Sequence, residues 1–281
     1  MSDSRAWTGG WFIQPHPDDI ALSLGGTVAL TRSPRIVTLF AAPPARDAPL
    51  SALARRWHER WGTDLDTWTI RQREDAAAAS VLGARCEWLP YCDAIYRGER
   101  YLTAESLTGP LHAEDWPLVD QIAADLIARW REAQGATIYL PLGVGGHVDH
   151  QLAHALGAPL TAAGAAVRYY EDFPYAMVDG AVEDRLRSLR AGGGDARELV
   201  PHVLDVSAAL ERRLAAIAAY RSQIGVLFRP EGSYPGPYDH AVRRYAAGVA
   251  PDGASYGERT WAKARPGERG VAASRRAPGA G

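Results

Sequence analysis

His16-Pro17-Asp18-Asp19 and His147-Val148-Asp149-His150 are the two places where this chain concentrates groups able to hold a cation and move a proton. Each follows an apolar, strand-like run: Trp11-Phe12-Ile13 in the first case, Ala136-Thr137-Ile138-Tyr139-Leu140 in the second. A catalytic zinc takes three nitrogen or oxygen ligands from the protein and keeps one position open for water. His16, Asp19 and His150 meet that need with two neutral imidazoles and one carboxylate. Such an ion makes hydroxide available near neutral pH, and a proton acceptor must stand beside it. Asp18, adjacent to a ligand but not needed as one, is the candidate base. His147 would face the substrate carbonyl and, when protonated, stabilise an oxyanion and then protonate a leaving amine. Asp149 would hold one ring nitrogen of His147 and raise its basicity. The donor set suits Zn2+ and also Fe2+.

Each cluster also has a plainer reading. His-Pro-Asp-Asp is a good turn, with Asp18 or Asp19 capping the next helix. His147 and His150 would merely decorate a helix start after the sharp turn marked by Gly143, Gly145 and Gly146. The conjunction argues for a site, because both clusters stand at equivalent strand ends. His154 has i, i+4 spacing to His150, but Gln151 stands where a zinc protease places its glutamate, so His154 reads as an ordinary helix residue. No Walker loop is present.

The elements that must bring the clusters together alternate apolar runs with helical patterns, which predicts crossover units and a mainly parallel α/β sheet. Strands are expected at Trp11–Gln14, Arg35–Ala41, Glu87–Tyr91, 136–141 and Ala166–Glu171. Helices are expected at Asp19–Thr31, through most of Ser51–Gly83 with a break near Gly62-Thr63 and a second half Arg71–Leu82, at Glu114–Ala133, His150–Ala162, Val182–Leu189 and Ser207–Gln223. Gly25-Gly26 inside the first helix would permit close helix–sheet contact. The Pro-rich segment Ala42–Leu50 and the aperiodic Cys92–His112 read as loops at the site. In an open parallel sheet ligands bind beyond the carboxyl ends of the strands, where both clusters lie. Residues 1–264 are expected to form one domain and 265–281, rich in Gly, Ala, Pro and Arg, a disordered tail.

Composition narrows the classes. The chain has 281 residues, 47% of them hydrophobic, enough for a large core without staples. Lys+Arg number 31 against Asp+Glu 33, and no like-charge block suggests nucleic acid or a membrane surface as partner. Lys263 is the only lysine, which argues against Schiff-base chemistry. Two cysteines, Cys86 and Cys92, give neither a disulfide framework nor zinc-finger spacing. With no signal pattern at Met1–Arg5 and no run of membrane-spanning length, a cytoplasmic enzyme without membrane insertion is expected. Association into oligomers is left open.

Together with Gly25-Gly26, Arg71-Gln72-Arg73-Glu74, Leu82-Gly83 and Asp93, the two clusters resemble the PIG-L/LmbE-like family of zinc-dependent N-acetylglucosamine deacetylases. The likeness spans roughly residues 10–175. It implies a Rossmann-like sheet with helices on both faces and a small-molecule amino-sugar conjugate as substrate, from which acetate is released. It makes His16, Asp19 and His150 the zinc ligands, Asp18 the base and His147 the acid or oxyanion stabiliser. It further implies that Arg71 and Asp93 contact the sugar, with Arg73 close enough to be confused with Arg71. Read plainly, Arg71 would instead pair with Glu74 or lie on a solvated face, and Asp93 would form a turn. The chain departs from the pattern twice: Ile20 replaces a common glutamate, and Gly145 replaces a tyrosine that polarises the carbonyl in some members. Tyr170 and Tyr175 are candidates to substitute for the latter. Two rival functions remain: cleavage of another amide such as a thiol S-conjugate, and a non-catalytic sugar- or metal-binding role.

Overall fold

The first strand, β1 (Gly10–Gln14), is buried along its whole length. Its pleat sends Phe12 to one face of the sheet, and Trp11 and Ile13 to the other. A strand apolar on both faces needs cover on both, and the computed structural model shows how it is supplied. It describes residues 9–45, 47–62, 67–132, 136–193, 199–228 and 234–264. The expected tail 265–281 lies outside the described residues.

Six further strands, β2 (Arg35–Thr38), β3 (Arg85–Trp88), β4 (Thr137–Pro141), β5 (Val167–Tyr170), β6 (Leu199–Asp205) and β7 (Gly257–Lys263), complete a sheet of order β3-β2-β1-β4-β5-β7-β6. β1 to β5 run parallel, and β7 pairs antiparallel with both β5 and β6. The helices are α1 (Asp19–Leu30), α2 (Ala52–Trp61), α3 (Thr67–Leu82), α4 (Ala104–Leu107), α5 (Trp116–Glu132), α6 (Val148–Ala155), α7 (Gly157–Ala162), α8 (Ala181–Ala191), α9 (Leu210–Ile217), α10 (Arg221–Leu227) and α11 (Tyr238–Gly248). α1, α3, α9 and α11 share the Phe12 side of the core, whereas α5, α6 and α7 cover Trp11 and Ile13. The strand order reverses between β1 and β4, which puts the ends of those two strands at the crevice.

The α/β architecture expected from the alternation is therefore present, with differences in detail. β2 ends at Thr38, beyond which Phe40 and Ala42 make only isolated bridges. The break expected near Gly62-Thr63 is present: 51–83 forms two helices, Gly62 leaving α2 in the left-handed conformation at φ 60°. The expected helix from His150 begins at Val148 and is divided after Ala155. Loop 92–112 carries α4 and a short 3-10 turn at Ala94–Tyr96. In the C-terminal third, β6, β7 and α11 were not foreseen.

Gly25-Gly26 allows close approach to α9, to the loop at Val206 and, as expected, to the sheet, where Glu258 of β7 lies 2.9 Å from the place of a Gly26 Cβ. A Cβ on Gly25 would meet Arg213 Cγ at 2.7 Å, and one on Gly26 would meet Val206 Cβ at 2.7 Å. Here α1 kinks at Leu24. Its loosened backbone groups find side-chain partners: Leu22 O accepts from Arg213, while the Gly26 and Thr27 amides donate to Glu258 at 2.8 and 2.7 Å. Arg213 and Glu258, both fully buried, pair at 3.2 Å.

Candidate metal centre

β1 ends at Gln14, and the chain turns through His16-Pro17-Asp18 into α1. Asp18 holds φ at 113°, a costly backbone conformation for a residue with a side chain. Three contacts fix the turn. Asp19 Oδ2 accepts the His16 amide at 2.8 Å, Asp18 O accepts the Leu22 amide at 2.9 Å, and Gln14 Oε1 accepts the Ile20 amide at 3.0 Å. Gln14 is held in turn by Thr38 and by the buried Asp75, which also accepts from Tyr220, Trp88 and Thr38. Thus, although Ile20 lacks the common family carboxylate, its backbone is anchored from below.

At the neighbouring strand end, β4 passes through Leu142 and the Gly-rich turn into α6. The Gly143 and Val144 amides donate to Asp172 Oδ2 at 2.7 and 2.8 Å. His147 caps α6, accepting the Asp149 amide on Nδ1 at 3.2 Å, and His150 sits in its first turn.

The two segments converge. Ligand atoms of His16, Asp19 and His150 lie within 4.8 Å of one another. Asp19 Oδ2 is 3.7 Å from His16 Nδ1, and Asp19 Oδ1 is 3.5 Å from His150 Nε2. On the far side of each ring a carboxylate fixes the other nitrogen: Asp149 Oδ2 on His16 Nε2 at 2.9 Å, Asp172 Oδ1 on His150 Nδ1 at 2.6 Å. That is the arrangement which orients imidazoles toward a metal. A second group, His16, His147 and Asp149, also lies within ligating distance. Its carboxylate is already occupied, because Asp149 is fully buried and binds Arg97, the Ala94 amide and His16. The first group is therefore the one available to a cation.

The electrostatics agree. Burial draws the pKa of His16 down, yet Asp93, Asp149 and Asp19 more than reverse this and leave it raised. Burial likewise opposes protonation of His150, but Asp19 and Asp172 push it up to about 9. Two imidazoles that attract protons mark surplus negative potential, which a divalent cation would neutralise. Asp18 is pushed up to about 8, first by burial and then by the charge of Asp19, with Arg71 and His16 opposing. His147 is held well below the ordinary histidine value by burial and by charge on His16 and His150.

Two expectations need correction. Asp149 does not hydrogen-bond the His147 ring with its carboxylate, which serves His16 and Arg97 and favours protonation of His147 through its charge alone; its backbone amide donates to His147 Nδ1. His147 is disposed to stay neutral, with Nδ1 accepting and Nε2 left to donate, because a cationic ring is disfavoured among its neighbours.

Other residues fall as follows. Arg71 faces the turn, donating to Pro17 O at 3.3 Å and stacking 4.9 Å from the Trp61 ring centroid, whereas Arg73 is exposed. Glu74 bonds Ser222 rather than Arg71. Asp93 does form a turn, its Oδ1 accepting the Ile95 amide, and its other oxygen lies 3.4 Å from His16 Nε2. Tyr170 is committed to the core, donating to Ile13 O at 3.1 Å. Tyr175 instead lies over Gly145, where a Cβ would come 2.6 Å from its Cγ, and its ring is 6.1 Å from that of His150. Its hydroxyl bonds to none of the described residues. His154 lies apart from the cluster, bonded to Pro141 O and stacked 4.4 Å from Tyr169.

Asp172 and Arg97 were missed by sequence reasoning. Asp172 had a usable signal, since it follows β5 at the same end of the sheet as both clusters. Arg97, buried between Asp115 and Asp149, sits in the aperiodic loop and had none.

Residues 11–161 match the family described as PIG-L, GlcNAc-PI de-N-acetylase. The 2'-N-acetylparomamine deacetylase of Streptomyces fradiae is 33% identical over 216 residues, covering 75% of this chain and 72% of that protein. Among solved structures, the A40926 pseudoaglycone deacetylase superposes with a TM-score of 0.69 at 27% identity, over 91% of this chain and 97% of that one. A deacetylase of the teicoplanin biosynthesis pathway gives a TM-score of 0.75 at 26% identity, over 93% and 100%. With a match over more than half its length and a paired strand-end cluster to go with it, the chain belongs to the PIG-L, GlcNAc-PI de-N-acetylase, family.

Proposed function

We propose that this protein is a hydrolytic N-deacetylase acting in the cytoplasm on an N-acetylated amino sugar within a larger small-molecule conjugate, with zinc held by His16, Asp19 and His150. One observation carries the reading: two segments more than a hundred residues apart place two imidazoles and a carboxylate around one point, each ring backed by its own carboxylate. The deacetylase activity named for the relatives supports the substrate class. Among the described residues no helix is long and apolar enough to cross a membrane.

A divalent ion bound there would supply Lewis-acid polarisation of the amide carbonyl and acidify a water. Asp18 accepts the proton of the attacking water, and its preference for holding a proton suits it to that task. The water oxygen bonds to the acetyl carbon, the carbon–nitrogen bond breaks, and Asp18 returns the proton to the departing amine. Acetic acid and the amine result, and they ionise to acetate and ammonium at neutral pH, so atoms and charge balance. The neutral His147 donates from Nε2 to the developing oxyanion, and the Tyr175 hydroxyl is the second donor in place of the side chain that Gly145 lacks. Arg71 and Asp93, which line a small pocket together with Pro17, contact the sugar.

The test is metal analysis with an amine-release assay on 2'-N-acetylparomamine and a panel of N-acetylglucosaminides. Zinc-loaded protein should release acetate and amine in equal amounts, and His150→Ala should retain neither metal nor activity. Zinc retention without turnover on any amide would favour a binding role. Turnover confined to amides lacking an amino sugar would move the substrate elsewhere.

A further inference from the structure

A cavity of about 910 Å³ opens between α7 and α8, where β5 and β6 begin and β7 ends. None of the metal-centre groups lines it. Its walls combine apolar surface from Val167, Leu189 and Leu199 with the ring of Tyr169. Arg168, Arg185 and Lys263 also line it, and no aspartate or glutamate does among the described residues. The size is that of a small-molecule site, where a few polar groups orient a largely apolar ligand.

Arg185 is the residue that calls for a ligand. Its guanidinium packs flat against Gly143, where a Cβ would lie 2.8 Å from Nη2, and its Nε donates to Leu142 O at 2.9 Å. A guanidinium carries five N–H donors, and this is the single bond it makes to the described residues. Burial lowers its pKa against the charge of Asp172, and that carboxylate is already engaged by His150 and by the Gly143 and Val144 amides, so no described carboxylate bonds the guanidinium. A half-buried cation with no bonded counterion is unfavourable. An oxyanion placed in the cavity would complete the fork in the geometry that arginine favours.

We infer that this cavity is a second ligand site, separate from the metal centre, which takes a small organic anion: a carboxylate or phosphate monoester carried on a compact apolar body, its oxyanion paired with Arg185. Inorganic phosphate alone is too small and too polar to use the apolar wall.

Isothermal titration calorimetry of the full chain with phenyl phosphate, benzoate and inorganic phosphate tests this. Saturable binding of an aromatic anion is expected, at least ~10-fold weaker in Arg185→Ala because a charge-assisted bond is lost. Since that variant also loses the Leu142 bond, Ala158→Trp serves as a second probe. Ala158 is exposed at the cavity wall, and a bulky ring there should block binding without touching Arg185. Anions also bind metals, so the titration is repeated on metal-free His150→Ala, where affinity should be unchanged. The inference fails if no anion saturates the wild type, or if binding survives both cavity variants. It also fails if binding disappears in His150→Ala, or if inorganic phosphate binds as tightly as phenyl phosphate.

Discussion

Asp172 receives His150 Nδ1 on one carboxylate oxygen at 2.6 Å, and the Gly143 and Val144 amides on the other. One side chain therefore sets both the orientation of a metal-ligand ring and the course of the glycine turn beside it. Its removal should be felt in metal affinity before it is felt in the fold. Asp172→Asn is expected to weaken zinc binding by ~10–100-fold, the usual effect of losing such a partner. Competition with a chromophoric chelator would measure this; an unchanged affinity would show that His150 is oriented by other means.

Asp18→Asn should leave zinc content unaltered and lower kcat by ~10²–10⁴-fold, the usual contribution of a positioned acid–base group. Asparagine tolerates positive φ as aspartate does, so the turn at 113° should survive. Metal content and kcat measured on the same preparation decide the matter. A variant with normal turnover would transfer the proton-accepting role elsewhere.

The two tyrosines should respond in opposite ways. Tyr175→Phe is expected to reduce kcat by ~10²–10³-fold, the range for one oxyanion donor, with little change in stability. Tyr170→Phe should leave kcat alone and cost ~1–3 kcal/mol, because Ile13 O loses its buried donor. Steady-state kinetics paired with urea unfolding separates the two effects. Gly145→Ala should resemble Tyr175→Phe, since the new methyl would occupy the ring's place.

Stability should fall in mild acid on account of His154. Burial, and then the charge of Arg185, lower its pKa from 6.5 to about 3. Between those values the unfolded chain binds a proton that the folded chain does not. The contribution is thus complete above pH 6.5 and is lost as pH falls toward 3, by at most ~1.4 kcal/mol per pH unit. His154→Phe, which keeps the ring on Tyr169, should flatten the profile between pH 6.5 and 4. Equal slopes for the two proteins in urea unfolding would rule out this histidine as the cause.

The two signatures were legible because strand-end chemistry leaves a compact local record: apolar run, turn, ligand. The same record located β1, β4 and the face on which the site lies. Partnerships across the fold leave no such record. Asp149 sits two residues from His147 in sequence, so assigning it there was natural, yet the first turn of α6 points its carboxylate at His16 and Arg97. β6 and β7 escaped notice because Pro201 and His202 interrupt the apolar run of Leu199–Asp205, while Glu258-Arg259-Thr260 leaves Gly257–Lys263 with no apolar run at all. The division of 51–83 was legible at Gly62, whereas the kink at Leu24 comes from a single backbone conformation that helical periodicity does not register.

The ion pair of Arg213 and Glu258 has a temporal consequence. The opened turn of α1 is closed by a carboxylate 232 positions downstream. During synthesis, the segment bearing Asp18 and Asp19 emerges long before the strand that carries Glu258. A nascent or C-terminally clipped chain should therefore be a poor hydrolase, and full activity arrives only with the finished polypeptide.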